Sequence, residues 1–290
     1  MHAADKLSRE RLPDRNKVVN GIAPSQRSEG GLRLGFKRRG PLTVLDNLFQ
    51  SGCLRARILR AEPGHPTEAV LLNTAGGLTG GDRLSLTISW EPGTHAVVTN
   101  QACEKLYRAA AGEARIETTL DVKEGATAEW LPQEAILFDR ASVWRDLQVR
   151  LSGGAVFTGL EAVVLGRAAM GETVQSTRFK DRWRIWRGDR LVYADAFGLN
   201  GDIASLLAQA PVTQGHIAFA NLLHVGPAGE MALEQVRALL PTCGCVAGAS
   251  AWNGLLTIRF VADSSARLRS ALVRVLDTLR VTPLPRVWQI

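Results

Sequence analysis

The 290-residue sequence is poor in the residues that build dedicated chemistry. Its four cysteines, Cys53, Cys103, Cys243 and Cys245, are too few and too scattered for a disulfide framework, so a reducing cytoplasm is the simplest setting. Its five histidines, His2, His65, His95, His216 and His224, form no His-x-x-Glu-His or Glu-x-x-His pattern, which excludes a zincin or a metal-storage tract. Cys243-Gly244-Cys245 is at most a two-ligand metal fragment, because no second pair at finger spacing completes it. No apolar run approaches the roughly 18–20 residues that cross a bilayer as a helix. The first residues, Met1 to Glu10, carry charge and no apolar stretch, so no secretory signal is expected there.

What the chain has is an excess of positive charge, +7 overall. Residues 1–40 hold ten bases against four acids, and 257–290 hold six arginines against Asp263 and Asp277. The ends therefore contribute +6 and +4, which leaves −3 for residues 41–256. A uniformly basic body that grips nucleic acid is disfavoured. With 46% apolar and 22% charged residues, the composition is that of an ordinary globular chain with a sizeable core.

Up to about Gly31 the sequence is polar and aperiodic, which reads as a flexible basic tail over 1–30 preceding a single β-rich domain over 31–290. Leu84, Leu86, Ile88 and Trp90 alternate with Arg83, Ser85, Thr87 and Ser89, the period of a half-buried strand. Strands are likewise expected over 95–99, 114–122, 126–131, 143–151, 156–164, 177–186 and 191–196. Lys123-Glu124-Gly125, Ser152-Gly153-Gly154 and Gly188-Asp189 separate them, as tight antiparallel connections require. No helical pattern intervenes, so the fold class is mainly β, a coiled or antiparallel stack rather than βαβ units. From 212 to 290 the pattern becomes βαββα: a strand near 215–225, a helix over 230–240, a hairpin turning at Asn253-Gly254, and a last helix capped by Asp263 with Leu268, Leu272, Val275, Leu276 and Leu279 on one face.

Several stretches combine polarity with unusual backbone demands. Asn73 to Asp82 contains two Gly pairs, but a strand rather than a helix follows, so a phosphate cradle is disfavoured. The pairs read instead as positions of positive φ or close approach, with Asp82 capping the turn or pointing into a polar channel. Gln133 and Glu134 stand between apolar flanks, where a carboxylate is either a hydrogen-bonded structural acid or a functional one. Glu161 lies in a strand before the irregular joint 166–172, which holds Glu172. Cys103 has no His in its segment to activate it. Residues 182–187 interleave arginines with Trp183 and Trp186; an amphipathic strand with an Arg-rich face explains them better than stacking on single-stranded nucleic acid.

Gly76-Gly-Leu-Thr-Gly-Gly-Asp82, Gln101-Ala-Cys-Glu-Lys-Leu-Tyr-Arg108, Trp130-Leu-Pro-Gln-Glu134 and Gly166-Arg-Ala-Ala-Met-Gly-Glu172, with Pro285 to Trp288 at the close, occur in an order that resembles the urease accessory protein UreD family, also called UreH. The resemblance implies a coiled stack of strands with two helices and a non-enzymatic maturation factor. Such a factor binds urease apoprotein and, with UreF and the GTPase UreG, serves nickel insertion. It implies no permanently bound cofactor, only transient Ni²⁺ along an internal polar passage, and neither a nucleic-acid nor a membrane partner. A route for a passing ion needs scattered carboxylates rather than a closed cage, which would trap it. On that ground Asp82, Glu134, Glu161 and Glu172 are the expected nickel contacts, with Thr99 and Gln101 as neutral lining. Trp183, Trp186, Trp252 and Trp288 are the expected partner anchors where they are exposed. The competing readings are a β-rich carbohydrate-processing hydrolase, which needs a carboxylate pair in an open cleft, and a single-strand nucleic-acid binder.

Overall fold

The computed structural model describes residues 27–60, 62–167, 170–210 and 212–289. The expected tail falls chiefly on residues 1–26, outside the described residues, and the first strand already opens at Glu29. Two antiparallel pairs come first, β1 (Glu29–Arg39) with β2 (Leu42–Gly52), and β3 (Leu54–Ile58) with β4 (Thr67–Asn73). The chain then coils through β5 (Arg83–Trp90), β6 (His95–Asn100), the short β7 (Glu104–Leu106), β8 (Ala114–Val122), β9 (Thr127–Leu131), the short β10 (Ala135–Leu137), β11 (Ser142–Leu151), β12 (Val156–Leu165) and β13 (Ser176–Arg187). β14 (Arg190–Asp202) folds back on β13 and runs into a short helix, α1 (Ile203–Leu207). β15 (Ala218–Val225), α2 (Ala228–Leu239), β16 (Val246–Trp252), β17 (Leu255–Ala262) and α3 (Ser265–Leu279) complete the βαββα portion.

Successive strands of the coil alternate between two sheets. One is seven-stranded, in the order β14-β13-β11-β8-β5-β1-β2; the main path of the ten-stranded other is β16-β17-β15-β12-β9-β6-β4-β3. Within each sheet neighbouring rungs are parallel, so Ile88 pairs with Leu120, Leu120 with Val149, and Val149 with Ile185. All four are fully buried, forming one aliphatic column between the sheets. Burying each is worth about 1.5–3 kcal/mol relative to exposure, so the columns drive the coiling. The short strands make a third, narrow wall, where Leu78, Leu106, Leu137 and Leu165 stack in register.

The strand alternation read from the sequence is present, but two turn assignments need correction. Lys123-Glu124-Gly125 and Ser152-Gly153-Gly154 do not close hairpins; they turn the chain from one sheet to the other, between β8 and β9 and between β11 and β12. A positive-φ glycine serves a coil corner as well as a hairpin, so local chemistry alone does not distinguish them. Gly188 does close a hairpin, as does Asn253-Gly254, with φ of 50° and 76°. Ser264, not Asp263, caps α3: its extended backbone lets the side chain accept from Arg267 N, while Asp263 pairs with the Arg267 guanidinium.

The buried face of α3, Leu268, Ala271, Leu272, Val275 and Leu276, covers the outer side of the ten-stranded sheet. That side presents Val97, Leu131, Leu160, Leu222 and Ile258, so the sheet is apolar on both faces. No helix among the described residues is long and apolar enough to cross a membrane.

Candidate functional site

Between the sheets the packing is aliphatic at one edge and polar at the other. Inward positions of β11 run Val143, Arg145, Leu147, Val149, and those of β13 run Phe179, Asp181, Trp183, Ile185. From the opposite sheet β12 directs Glu161 into the same space. Arg145 joins them: Nη1 lies 2.6 Å from Glu161 Oε2, and Nη2 donates to Asp181 Oδ2 at 2.6 Å. Its guanidinium also stands 5.1 Å from the Phe179 ring centroid, and Trp130 Nε1 donates to Glu161 Oε1 at 3.2 Å.

One guanidinium thus serves two buried carboxylates. Burial is the largest influence on both acids and outweighs the attraction of Arg145: it raises Asp181 and pushes Glu161 up to about 7. Arg145 is held more firmly charged by the two acids in spite of its own burial. Both acids are therefore harder to ionise than free carboxylates, and the guanidinium between them is what favours their charged forms.

Two cavities, of about 70 and 230 Å³, share Arg145, Glu161 and Asp181 as lining. The first extends toward Asn73, Asn100, Glu104 and Gln133. Burial pushes Glu104 up to about 7, against the lowering hydrogen bond that Asn73 Nδ2 donates to it at 3.0 Å. The second extends to Asp195, which accepts from Arg259 Nη2 at 2.8 Å, from Tyr193 Oη at 3.3 Å and from Asn221 Nδ2 at 3.3 Å. The cluster borders both spaces.

The other expected residues lie elsewhere. Asp82 caps its own loop: Oδ2 accepts from Thr79 N and Oδ1 from Ser28 N, both at 2.8 Å. In that loop Gly77 has φ 146°, and Gly80 approaches the Ala111 carbonyl too closely to carry a Cβ. Glu172 accepts from Arg167 Nε at 2.7 Å and from the backbone of Asp139 and Arg167; Ala168 and Ala169 of its motif lie outside the described residues.

Glu134 is buried beneath the C-terminal segment, where Arg269 Nη1 reaches its Oε2 at 2.8 Å and Gln133 Oε1 at 2.7 Å. Thr99 points out of the ten-stranded sheet, on the side of Val97, and accepts from Trp288 Nε1 at 3.2 Å. Gln101 is exposed. Of the six residues expected along a passage, Glu161 alone lines the two cavities.

Among the tryptophans, Trp183 and Trp288 are 3% and 2% exposed, so the exposure required of an anchor is not met there. Trp183 takes an inward strand position and Trp288 seals the outer face under Arg269, which is 5.0 Å from its ring. Trp186 is half-buried and Trp252 is 40% exposed. Cys103 has its pKa raised to about 11, by burial first and then by Glu134, so its thiol is not activated. Among the described residues, no group of three or more His, Cys, Asp or Glu side chains converges as a resident metal site.

Sequence reasoning missed Arg145, Asp181 and Asp195. The available signal was a lone charge on the apolar face of an alternating strand, at Arg145 within 143–149 and at Asp181 within 179–185.

A family profile described as UreD urease accessory protein matches residues 28–289. The chain is 45% identical over 266 residues to a protein of Rhizobium leguminosarum bv. trifolii named urease accessory protein UreD, covering 91% of this chain and 96% of that one. It is 44% identical over 263 residues to a protein of that name from Xanthobacter autotrophicus, covering 91% and 90%. It is 40% identical over 268 residues to one from Azorhizobium caulinodans, covering 92% and 98%.

Proposed function

The chain belongs to the UreD family of urease accessory proteins, and from that premise we propose that it binds urease apoprotein in the cytoplasm and, together with UreF and the GTPase UreG, serves nickel insertion without catalysing a reaction itself. In this reading Ni²⁺ is cargo that passes through the protein. The observation that supports the passage is the pair of cavities that share Arg145, Glu161 and Asp181 as lining.

The chemistry suits transit. Carboxylates, amides and water bind nickel more weakly than multi-His or multi-Cys cages, so an ion held by them exchanges. Glu161 and Asp181 supply negative charge in a space where desolvation strengthens every charge interaction. Arg145 neutralises part of that charge when no cation is present and borders both cavities. An entering Ni²⁺ displaces the guanidinium from the two acids, and the guanidinium returns once the ion has moved on.

The test is the triple variant Arg145→Met, Glu161→Gln, Asp181→Asn, which removes the charges together and leaves no buried ion unpaired. The variant chain, assembled with UreF, UreG and apo-urease, is expected to form the complex but to deliver at least about tenfold less nickel to the enzyme, measured by atomic absorption. Undiminished nickel content with the complex intact would falsify the passage.

A further inference from the structure

The outer face of the seven-stranded sheet changes character across its width. Over β1 and β5 its outward residues are mostly small or neutral, including Gly31, Gly35, Ser85, Thr87 and Ser89, with Arg33, Lys37 and Arg83 as separate charges and no tryptophan among them. Over β11 and β13 they become Trp144, Arg150, Lys180, Arg182, Arg184 and Trp186, with Arg115 of β8 beside Trp144. The guanidinia of Arg115 and Arg182 stand 5.5 and 5.4 Å from the Trp144 ring centroid. Those of Arg150 and Arg184 stand 5.9 and 5.7 Å from that of Trp186.

Between the two rings lies Asp146, 4% exposed. It accepts from Arg182 Nε at 2.7 Å, Arg184 Nη2 at 3.4 Å and Gln148 Nε2 at 2.7 Å. One buried carboxylate thus splints two arginines that in turn brace two tryptophans. Five cationic side chains, Arg115, Arg150, Lys180, Arg182 and Arg184, gather around it, against three acids at its β8 side, Glu113, which pairs with Arg115 at 3.6 Å, Glu117 beside Asp146, and Asp121 beside Arg150. Among the described elements, α2 and α3 pack on the other sheet and leave this face open.

We propose that this braced Arg–Trp patch is a docking surface for a carboxylate-rich surface of a partner protein. Arginine and tryptophan are the residues that dominate binding energy at protein interfaces, and here they are held in place before a partner arrives, which lowers the ordering cost of association. The guanidinium forks match carboxylates in two-point geometry. Single-stranded nucleic acid fits the patch less well, because base stacking needs open ring faces and each ring already carries two guanidinia. The inference rests on the accessory-protein reading only in naming apo-urease as one probe.

The test uses the full chain and the variant Arg115→Glu with Arg150→Glu, both exposed residues remote from the buried acid's own hydrogen bonds. Binding is measured against apo-urease, poly-L-glutamate and oligothymidylate over a salt series, with thermal unfolding as the folding control. The variant is expected to lose about tenfold or more in affinity for apo-urease and several-fold for poly-L-glutamate, with a shallower salt dependence. A control variant, Arg33→Glu with Lys37→Glu, makes the same change of net charge on β1, away from the patch, and is expected to bind nearly as the parent does. Unchanged affinity for both acidic probes overturns the proposal, as does an equal loss in the control, which would make net charge the cause. A greater loss for oligothymidylate than for the acidic probes overturns it in favour of nucleic acid. Should the parent chain not bind apo-urease at all, the accessory reading fails, while poly-L-glutamate still reports on the patch.

Discussion

The two sheets share one coil and one rule of alternation, yet their outer faces are finished in opposite ways. On the ten-stranded sheet the outward residues are Val97, Leu131, Leu160, Leu222 and Ile258, and the coil needs the cover that α3 and the segment to Trp288 provide. On the seven-stranded sheet they are Ser, Thr, Arg and braced Trp, and water serves as the cover. Burial under the first cover makes unpaired charges costly, and three contacts there show how they are met. Arg269 holds Glu134, Arg280 pairs with Glu129, and His95 Nε2 donates to Glu129 Oε1 at 2.9 Å. What differs is the residue type at every second position, which decides whether a face belongs to the core or to solvent.

The comparison breaks most visibly in the cover. Leu272→Ala, a fully buried change in α3, is expected to cost about 3–5 kcal/mol in urea unfolding, because the helix cannot collapse into the space left. Arg269→Ala strands Glu134 and Gln133 beneath the cover and is expected to cost about 3 kcal/mol, at the lower edge for a broken buried pair since Arg269 is 23% exposed. On the open face the matching change, Arg182→Ala, leaves Asp146 with Arg184 and Gln148 and is expected to cost about 1 kcal/mol or less.

Acidity sharpens the comparison by sign. Burial and the Arg280 charge lower His95 to about 4, so between pH 6.5 and 4 the unfolded chain binds a proton that the folded chain refuses. Stability from this group is therefore lost as pH falls through that window, and His95→Gln should flatten the loss. Glu104, in the interior, behaves oppositely. Its pKa is raised to about 7, so the folded chain keeps a proton that the unfolded one releases from about pH 4.5 upward, and stability is lost as pH rises toward 7. Glu104→Gln should flatten that limb. Thermal midpoints across pH 4–7.5 read both, and parallel rather than opposed changes in the two variants would break the assignment. At the small end, Thr119→Ala on the open face should stay within about 0.5 kcal/mol of the parent.

Much of this frame was legible in the residues. The alternation over 83–90 reappears as buried Leu84, Leu86, Ile88 and Trp90, and Asn253-Gly254 turns its hairpin. The helix expected over 230–240 runs Ala228–Leu239, with Pro241 just beyond its end. The two-residue-period signal was weaker in β2, where eight of the last residues are exposed, and absent in β7 and β10, which have three residues each. Those two short strands exist because coiling brings Leu106 beside Leu78 and Leu137, a partnership that no local pattern encodes. The interior cluster was half legible for the same reason. Glu161 stood out as a charge in an apolar strand, but its bond to Arg145 spans two sheets and depends on how the corners close. The roles of Glu134 and Thr99 were hidden because their partners, Arg269 and Trp288, arrive from the far end of the chain.

That last contact also sets an order of events during synthesis. Trp288 donates to Thr99 Oγ1 and to the Leu131 carbonyl, and α3 closes over rungs wound long before it. A chain emerging from the ribosome N-terminus first completes the coil while the apolar outer side of β6, β9 and β12 is still bare. Until residues 265–288 emerge and dock, the nascent protein presents an adhesive, strand-built surface to its surroundings. Nascent chains halted before residue 265 should therefore aggregate or recruit chaperones, whereas those that have released the final helix should not.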